Sequence, residues 1–540
     1  MATKRTQHRF ITERWVITGT LLLETPSHFG NGDADALTDM PLLVDEVNGK
    51  PLLPGTSIAG ALRNYLRERA LGYGKKEDSD SLASTLFGGF RGNDEGAQSP
   101  LSVFDASGHS AGVELRDGVA IDPETRTAKD EQKFDMQLLA AGSTFDLRFE
   151  LAVNKDGEKL LKALATALQG LEDGHITLGA RKCRGFGQVT VKDWRVWMYG
   201  LHKHDELLAW LASERPQEED KKPTVWKGAQ TVTALAANAD EKNVIAALLG
   251  AQLDETDNRK KALLKAEFTI DGTLLIRSGF GQSDTGADMV HLHSPRPKKD
   301  HPKEQERRPI IPGTSWAGVL RQRALKIART ISNDLEAPAD KDGNKIFKDK
   351  EKKKPLLKAD VFVDEMFGSS SIKRGDENVK ASRVHIKESE ITDSNSLVMT
   401  RVKIDRFTGG AYESALFTEQ PAIGKNETRV KLDLTLRKKA KPDKEEDVEK
   451  AEQAFKSEIG LLLLLLKDLW TGDLPIGGES SVGRGKLKGV HAELIVGSDS
   501  WVFSPKGTDG VELKKSKDAK DPQDFVDEFN KIDQWQVKHE

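Results

Sequence analysis

The chain has 540 residues, a net charge of −4 and one cysteine. At roughly 150 residues per domain, that length calls for several domains. A single cysteine excludes an intramolecular disulfide framework and a cysteine-based zinc site, and fits a reducing cytosol. The charge excludes a uniformly basic coat but leaves local basic patches open.

The opening stretch, MATKRTQHRF, lacks the apolar core of a secretory signal. WVITGTLLLE (15–24) reads as a strand. The glycine-rich acidic loop HFGNGDADALTDMP follows at 28–41, with His28, Asp33, Asp35 and Asp39. Such carboxylates can take a proton or bind a divalent metal, or simply make Asp-driven turns. Pro54 and Gly55 then precede a predicted helix, TSIAGALRNYLRERA. Thr56 or Ser57 can cap it. The same free amides and hydroxyls form an anion site, and Arg63, one to two turns on, can hold a phosphate bidentately.

STFDLRFELAV (143–153) alternates as a strand, and EKLLKALATALQGL (158–171) is an amphipathic helix. RKCRGFGQV (181–189) follows, then the strand GQVTVKDWRVW (187–197). Its glycines allow close backbone approach, and Arg181, Lys182 and Arg184 supply charge for phosphates. It is neither a Walker loop nor a dinucleotide fingerprint, because no GK[ST] follows and no helix opens on it. The same cations leave a second reading, a reactive thiolate at Cys183.

HDELLAWLA and NVIAALLGAQL, both at helical spacing, flank the linker-like ERPQEEDKKP within residues 200–262. Four landmarks then recur in order. LLPGTS at 52 returns as IIPGTS at 310 (310 − 52 = 258), and LFG at 86 as MFG at 366 (366 − 86 = 280). VAIDPET at 119 returns as VKIDRFT at 402 (402 − 119 = 283), and LGARKCRGFGQ at 178 as IGGESSVGRGK at 476 (476 − 178 = 298). The growing offset marks insertions near 331–358 and 436–452, and SPRPKKDHPKEQERRP (294–309) lengthens the copy before its PGTS. The second copy supplies Asp284, Asp288, Thr314, Ser315, Arg321, Gly483, Arg484, Gly485 and Lys486 as counterparts, whereas His291 and His293 have none. Its apolar run Leu461–Leu466 is far short of the ~20 residues of a membrane span and reads as a buried helix.

This alternation predicts an α+β protein with two tandem ferredoxin-like domains, at 1–200 and 262–497. A helical linker joins them at 201–261, and a tail follows at 498–540.

PGTSxxGxLR after an acidic loop, LFG, the xIDxxT segment and the late RGFG loop together resemble the RAMP superfamily of CRISPR-associated proteins. Within it, the chain is most similar to backbone subunits of type III RNA-targeting effector complexes. The resemblance spans both halves, as in a tandem, type III-D-like fusion of two subunits. It implies modified RRM-like palms, with thumb hairpins from VAIDPETRTAKDEQKF and VKIDRFTGGAYESALF. It implies guide-RNA contacts from His28, Thr56, Ser57, Arg63, Arg181, Lys182, Arg184, Gly185 and Gly187. In the second copy these are Thr314, Ser315, Arg321, Gly483, Arg484, Gly485 and Lys486. It implies target-RNA cleavage by Asp39, in DMP, and by Asp288, in DMV, which lacks the proline. The same aspartates are candidates for Mg²⁺ or another divalent metal. The expected partners are CRISPR guide RNA, complementary target RNA and other effector subunits in the cytoplasm, with no membrane. The competing expectations are a purely structural guide-binding subunit, a guide-processing endoribonuclease using His28, and a thiol enzyme at Cys183.

Overall fold

Alternating apolar residues in ERWVITGTLLL build β1 (Glu13–Leu23), an inner strand that buries Ile17, Leu21 and Leu23. The computed structural model describes residues 11–32, 38–77, 81–89, 98–122, 127–154, 157–212, 230–232, 243–278, 287–301, 304–332, 347–349, 354–355, 357–369, 379–442, 444–507 and 510–531. After β1 come β2 (Leu52–Leu53), α1 (Gly55–Leu71) and α2 (Leu82–Phe87). Then follow β3 (Leu101–Val103), β4 (Ala106–His109), the hairpin β5 (Val113–Ile121) with β6 (Ala128–Leu139), and β7 (Thr144–Val153). α3 (Gly157–Glu172) and β8 (Val189–Gly200) complete the unit. The sheet runs β2-β4-β7-β1-β8, and β1 lies antiparallel to both β7 and β8. α1 buries Ile58, Leu62, Tyr65 and Leu66, a helical stripe, in a core shared with α3. α4 (His204–Leu211) caps a small patch at Trp197 and Tyr199. α5 (Val244–Leu249), from the predicted linker, buries Ile245 and Leu249 in the same first core.

The second unit repeats this order. β9 (Lys261–Asp271) is its inner strand, followed by β10 (Met289–His291), β11 (His293–Pro297), β12 (Gln305–Ile311), α6 (Gly313–Ser332) and α7 (Lys358–Phe367). Next are β13 (Val384–Ile386), β14 (Ser389–Thr392), the hairpin β15 (Met399–Ile404) with β16 (Ala411–Gln420), and β17 (Arg429–Arg437). α8 (Glu445–Trp470), β18 (Lys486–Val496), β19 (Asp499–Lys506), β20 (Gly510–Lys515) and α9 (Gln523–Phe529) end the described chain. The sheet runs β11-β12-β14-β17-β9-β18-β19-β20. The charged stretch before PGTS is therefore the antiparallel pair β11–β12. The insertion near 331–358 lies largely outside the described residues. The one at 436–452 covers the end of β17 and the charged start of α8, whose leucines are buried further on. Trp501 and Phe529 are buried with those leucines, so the described residues 498–507 and 510–531 add to the second core. Among the described residues no helix is long and apolar enough to cross a membrane.

The units meet along a polar seam. Arg116 of β5 reaches into the second unit and pairs with Glu388, which also receives Arg296. Ser294 accepts from Arg116 at 3.0 Å and donates to Glu114 at 2.8 Å. Glu388 and Arg116 are both buried, so each neutralises what would otherwise be a costly buried charge. Gly185, at φ 87°, sits where a Cβ would come within 2.5 Å of the Glu388 nitrogen. A Cβ on Gly313, at the start of α6, would strike the Arg184 carbonyl. The glycine-rich loop of the first unit thus docks on the PGTS helix of the second.

Candidate nucleic-acid interface and acidic centres

The three sequence motifs of the first unit converge on one groove of about 860 Å³. His28, Asp39 and Met40 line it from the acidic loop, Thr56, Ser57 and Gly60 from α1, and Gly179, Ala180 and Lys182 from the glycine-rich loop. α1 starts at Gly55 behind Pro54 and has no side-chain cap. The Gly55 N–H instead donates to Asp105 at 2.6 Å. Thr56 and Ser57 therefore lie inside the first turn with exposed side chains, next to the positive end of the helix dipole. This replaces the capping role expected of them and leaves an anion-favouring groove wall.

Asp39 stands at the rim. Its N–H donates to Asp135 Oδ1 at 3.0 Å, and the Asp135 N–H returns a bond to Asp39 Oδ2 at 2.9 Å. The bond from the Asp39 N–H holds the Asp135 carboxyl below the usual range. In the second unit the Asp288 N–H donates to Thr418 Oγ1 at 3.0 Å, and the Thr418 N–H to Asp288 Oδ2 at 2.7 Å. Asp39 and Asp288 are thus structural counterparts, each clasped to the second strand of its hairpin. Asp33, Asp35 and Asp284 lie outside the described residues.

The glycine-rich loops also superimpose in conformation. Arg181 and Glu479 are both left-handed, at φ 54° and 60°, and Gly185 and Gly483 share φ 87°. Gly187 and Gly485, at φ 72° and 78°, sit where a Cβ would strike the Leu178 and Ile476 carbonyls.

The RAMP superfamily model matches residues 20–190 and 268–488, in step with the two units. The chain belongs to the RAMP superfamily. It is thus a CRISPR-associated RNA-binding protein, of a family whose members work in complexes with RNA and other subunits. No curated protein matches the chain.

The structure distributes the remaining RAMP candidates unevenly. Arg63 is held by Glu77 at 2.9 Å and by the Gly88 carbonyl at 3.0 Å. Arg321 is held likewise by Asp364 and the Gly368 carbonyl. These clamps fasten the LFG and MFG helix ends, so both guanidiniums already have internal partners. Arg181 lies 4.4 Å over the Phe134 ring, on the hairpin. Lys182 is exposed. Arg184 carries a buried Nη1 with no hydrogen-bond partner among the described residues, beside the start of α6 and half-buried Thr314 and Ser315. A buried guanidinium nitrogen without a partner is costly until an acceptor arrives.

The second loop keeps the glycines but not the arginines at these places. Glu479, Ser480 and Val482 stand at the places of Arg181, Lys182 and Arg184. Arg484, at the place of Phe186, is 3% exposed and pairs with Glu419 at 2.7 Å. Its guanidinium is thus engaged in an internal ion pair, whereas Lys486 is exposed.

His28 is 4% exposed, and its Nδ1 lies 2.8 Å from the Gln137 carbonyl, which fixes the ring as a wall of the groove. His291 is buried, accepts the Ile276 N–H at 3.2 Å and contacts the Ile310 carbonyl at 3.0 Å. Burial pushes its pKa down to about 3. Cys183 Sγ lies 3.4 Å from His385 Nε2 at the seam. Burial raises the thiol and drives His385 down to about 3, so the pair is neutral at pH 7 and offers no thiolate. Sequence reasoning missed Asp135, Thr418, Arg116 and Glu388. The first two were within reach: 418 − 135 = 283, the offset of the xIDxxT landmark itself.

Proposed function

We propose that this RAMP protein is a guide-RNA-binding backbone subunit of a type III CRISPR effector complex, a tandem fusion of two subunits that also cleaves guide-paired target RNA. Its setting would be cytoplasmic, with guide RNA, complementary target RNA and other effector subunits as partners. The strand order β4-β7-β1-β8 with α1 and α3 in the first core, and β14-β17-β9-β18 with α6 and α8 in the second, supports a ferredoxin-like palm in each unit. The two hairpins would serve as thumbs.

One observation carries the reading: the acidic loop, the PGTS helix start and the glycine-rich loop form a single groove with Asp39 at its rim. The groove would track guide phosphates by helix-end amides, the Thr56 and Ser57 hydroxyls and Lys182. The start of α6, with Arg184 from the first unit, would take another phosphate at the seam. Target selection would come from base pairing with the guide.

In the cleavage step the ribose 2′-oxygen attacks the adjacent phosphorus, the bond to the 5′-oxygen breaks, the leaving 5′-oxygen takes a proton from solvent water, and a cyclic phosphate and a 5′-hydroxyl result. Asp39 or Asp288 would accept the 2′-hydroxyl proton. DNA, lacking that hydroxyl, would be spared. Among the described residues no group of three metal-ligating side chains occurs. Mg²⁺ is often held by one or two carboxylates with phosphate oxygens and water completing its shell. An exposed Asp39 or Asp288 fits that pattern. When bound, such an ion would offset charge on the scissile phosphate.

The test is target-RNA cleavage by the assembled complex carrying Asp39→Ala, Asp288→Ala or both, read as product lengths. Each single variant should lose its own cut, with guide loading intact. A double variant that cuts every site like wild type sinks the nuclease reading.

A further inference from the structure

The two acidic centres share a contact that no sequence motif singled out. In each, the aspartate N–H is accepted by a side chain of the second hairpin strand, and that residue's own N–H is accepted by the aspartate carboxylate. The partners are Asp135 for Asp39 and Thr418 for Asp288. The contact joins segments 96 residues apart in the first unit and 130 in the second. Both aspartates are exposed, so core packing does not fix their rotamers.

We infer that Asp135 and Thr418 are positioning residues, which seat the aspartates against the hairpins in the orientation that cleavage requires. The inference rests on the nuclease reading above. The shared role is geometric, because a carboxylate and a hydroxyl both accept the aspartate N–H at equivalent positions; the Thr418 hydroxyl also lies 3.2 Å from Asp288 Oδ2, a contact that Asp135 does not duplicate. The common requirement is one side-chain acceptor at the right place, plus the hairpin N–H. Neighbouring bonds strengthen the seating. In the first unit the Gln137 N–H donates to the Met40 carbonyl at 3.0 Å, and Gln137 Oε1 accepts the Leu42 N–H at 3.2 Å. The returning limb of the acidic loop thus runs as a short ladder along β6, with the Asp39–Asp135 clasp as its last rung. Because the hairpins are the proposed thumbs, the clasp would also make the aspartate's position depend on how the hairpin sits against the RNA.

Asp135→Ala removes the acceptor, whereas Asp135→Thr copies the second centre. In the assembled complex, Asp135→Ala should slow the first unit's cut by about 10- to 100-fold in kcat, the scale of a small misplacement of a reacting group. KM and guide loading should stay unchanged, and Asp135→Thr should restore most of the rate. In the protein alone, amide hydrogen exchange at Asp39 should speed up in Asp135→Ala and stay slow in Asp135→Thr. Thr418→Val and Thr418→Asp should reproduce this pattern at the second unit's cut. If Asp39→Ala abolishes the cut but Asp135→Ala cuts at the wild-type rate, the positioning role is overturned while the nuclease reading stands. If Asp135→Thr is as slow as Asp135→Ala, the carboxylate charge matters and the geometric role is overturned. If Asp39→Ala itself cuts normally, both fall.

Discussion

Residues 178–188 and 476–486 trace the same loop, with the same left-handed residues and the same glycines, yet they face different surroundings. The first is closed over by the second unit, and its Cys183, Arg184 and Gly185 lie at the seam. The second ends in solvent, with Val482 62% exposed and, among the described residues, nothing within 4 Å of a Cβ built on Gly483. The glycines thus carry the turn, and the side chains between them decide what it does. In the first copy they are cations beside a helix start. In the second the remaining loop arginine is folded inward onto Glu419.

Substituting the matched glycines is the strongest way to break the comparison. Gly185→Ala meets both the left-handed backbone and the Glu388 nitrogen, and should cost about 3 kcal/mol or more. Gly483→Ala meets the backbone term alone and should cost about 1–2 kcal/mol. Equal losses in calorimetry would mean that the seam does not constrain the first loop.

Acid should separate the units next. His291 and His385, with pKa values pushed down to about 3, both belong to the second unit. At the equivalent places the first unit has Leu42 and Ser102. Each histidine binds its proton more readily unfolded, near pH 6.5, than folded. Their stabilising contribution is therefore complete above about pH 6.5 and is lost as pH falls toward 3. Tryptophan fluorescence or hydrogen exchange should show the second unit loosening first on acidification, and His291→Leu should reduce the effect. Simultaneous loosening of the two units, unaltered in His291→Leu, would contradict this account.

The smallest expected effect is at the residue that stands out most in the sequence. Cys183→Ser should leave guide binding and cleavage within about twofold and stability within about 1 kcal/mol, because the thiol is neutral and makes only weak polar contacts, to the Ser382 carbonyl and His385. A complete loss of activity would restore the thiol reading.

Much of this was legible before any coordinates. The strand at 15–24, the helices opening at PGTS, the leucine-rich helix and the strand after each glycine-rich loop follow from periodicity, since each element's buried stripe is written in its own residues. The equivalence of Asp39 and Asp288 was legible too, through the Asp-Met pairs. The fates of Arg63, Arg321 and Arg484 were not. An arginine that clamps a helix end and one that awaits a phosphate have the same local sequence, and only the position of Glu77, Asp364 or Glu419 tells them apart.

The duplication, the α+β alternation, the places where the backbone turns left-handed and the residue types available for RNA and for chemistry are all written in the residues themselves. These are local properties, set by side-chain period, by the missing Cβ of glycine and by composition. Folding in three dimensions sets the first unit's loop against the second unit's helix, Arg116 against Glu388, and Asp135 and Thr418 against the two aspartates. Those contacts join residues far apart in the chain, and their partners are chosen by how two sheets and two hairpins stack in space.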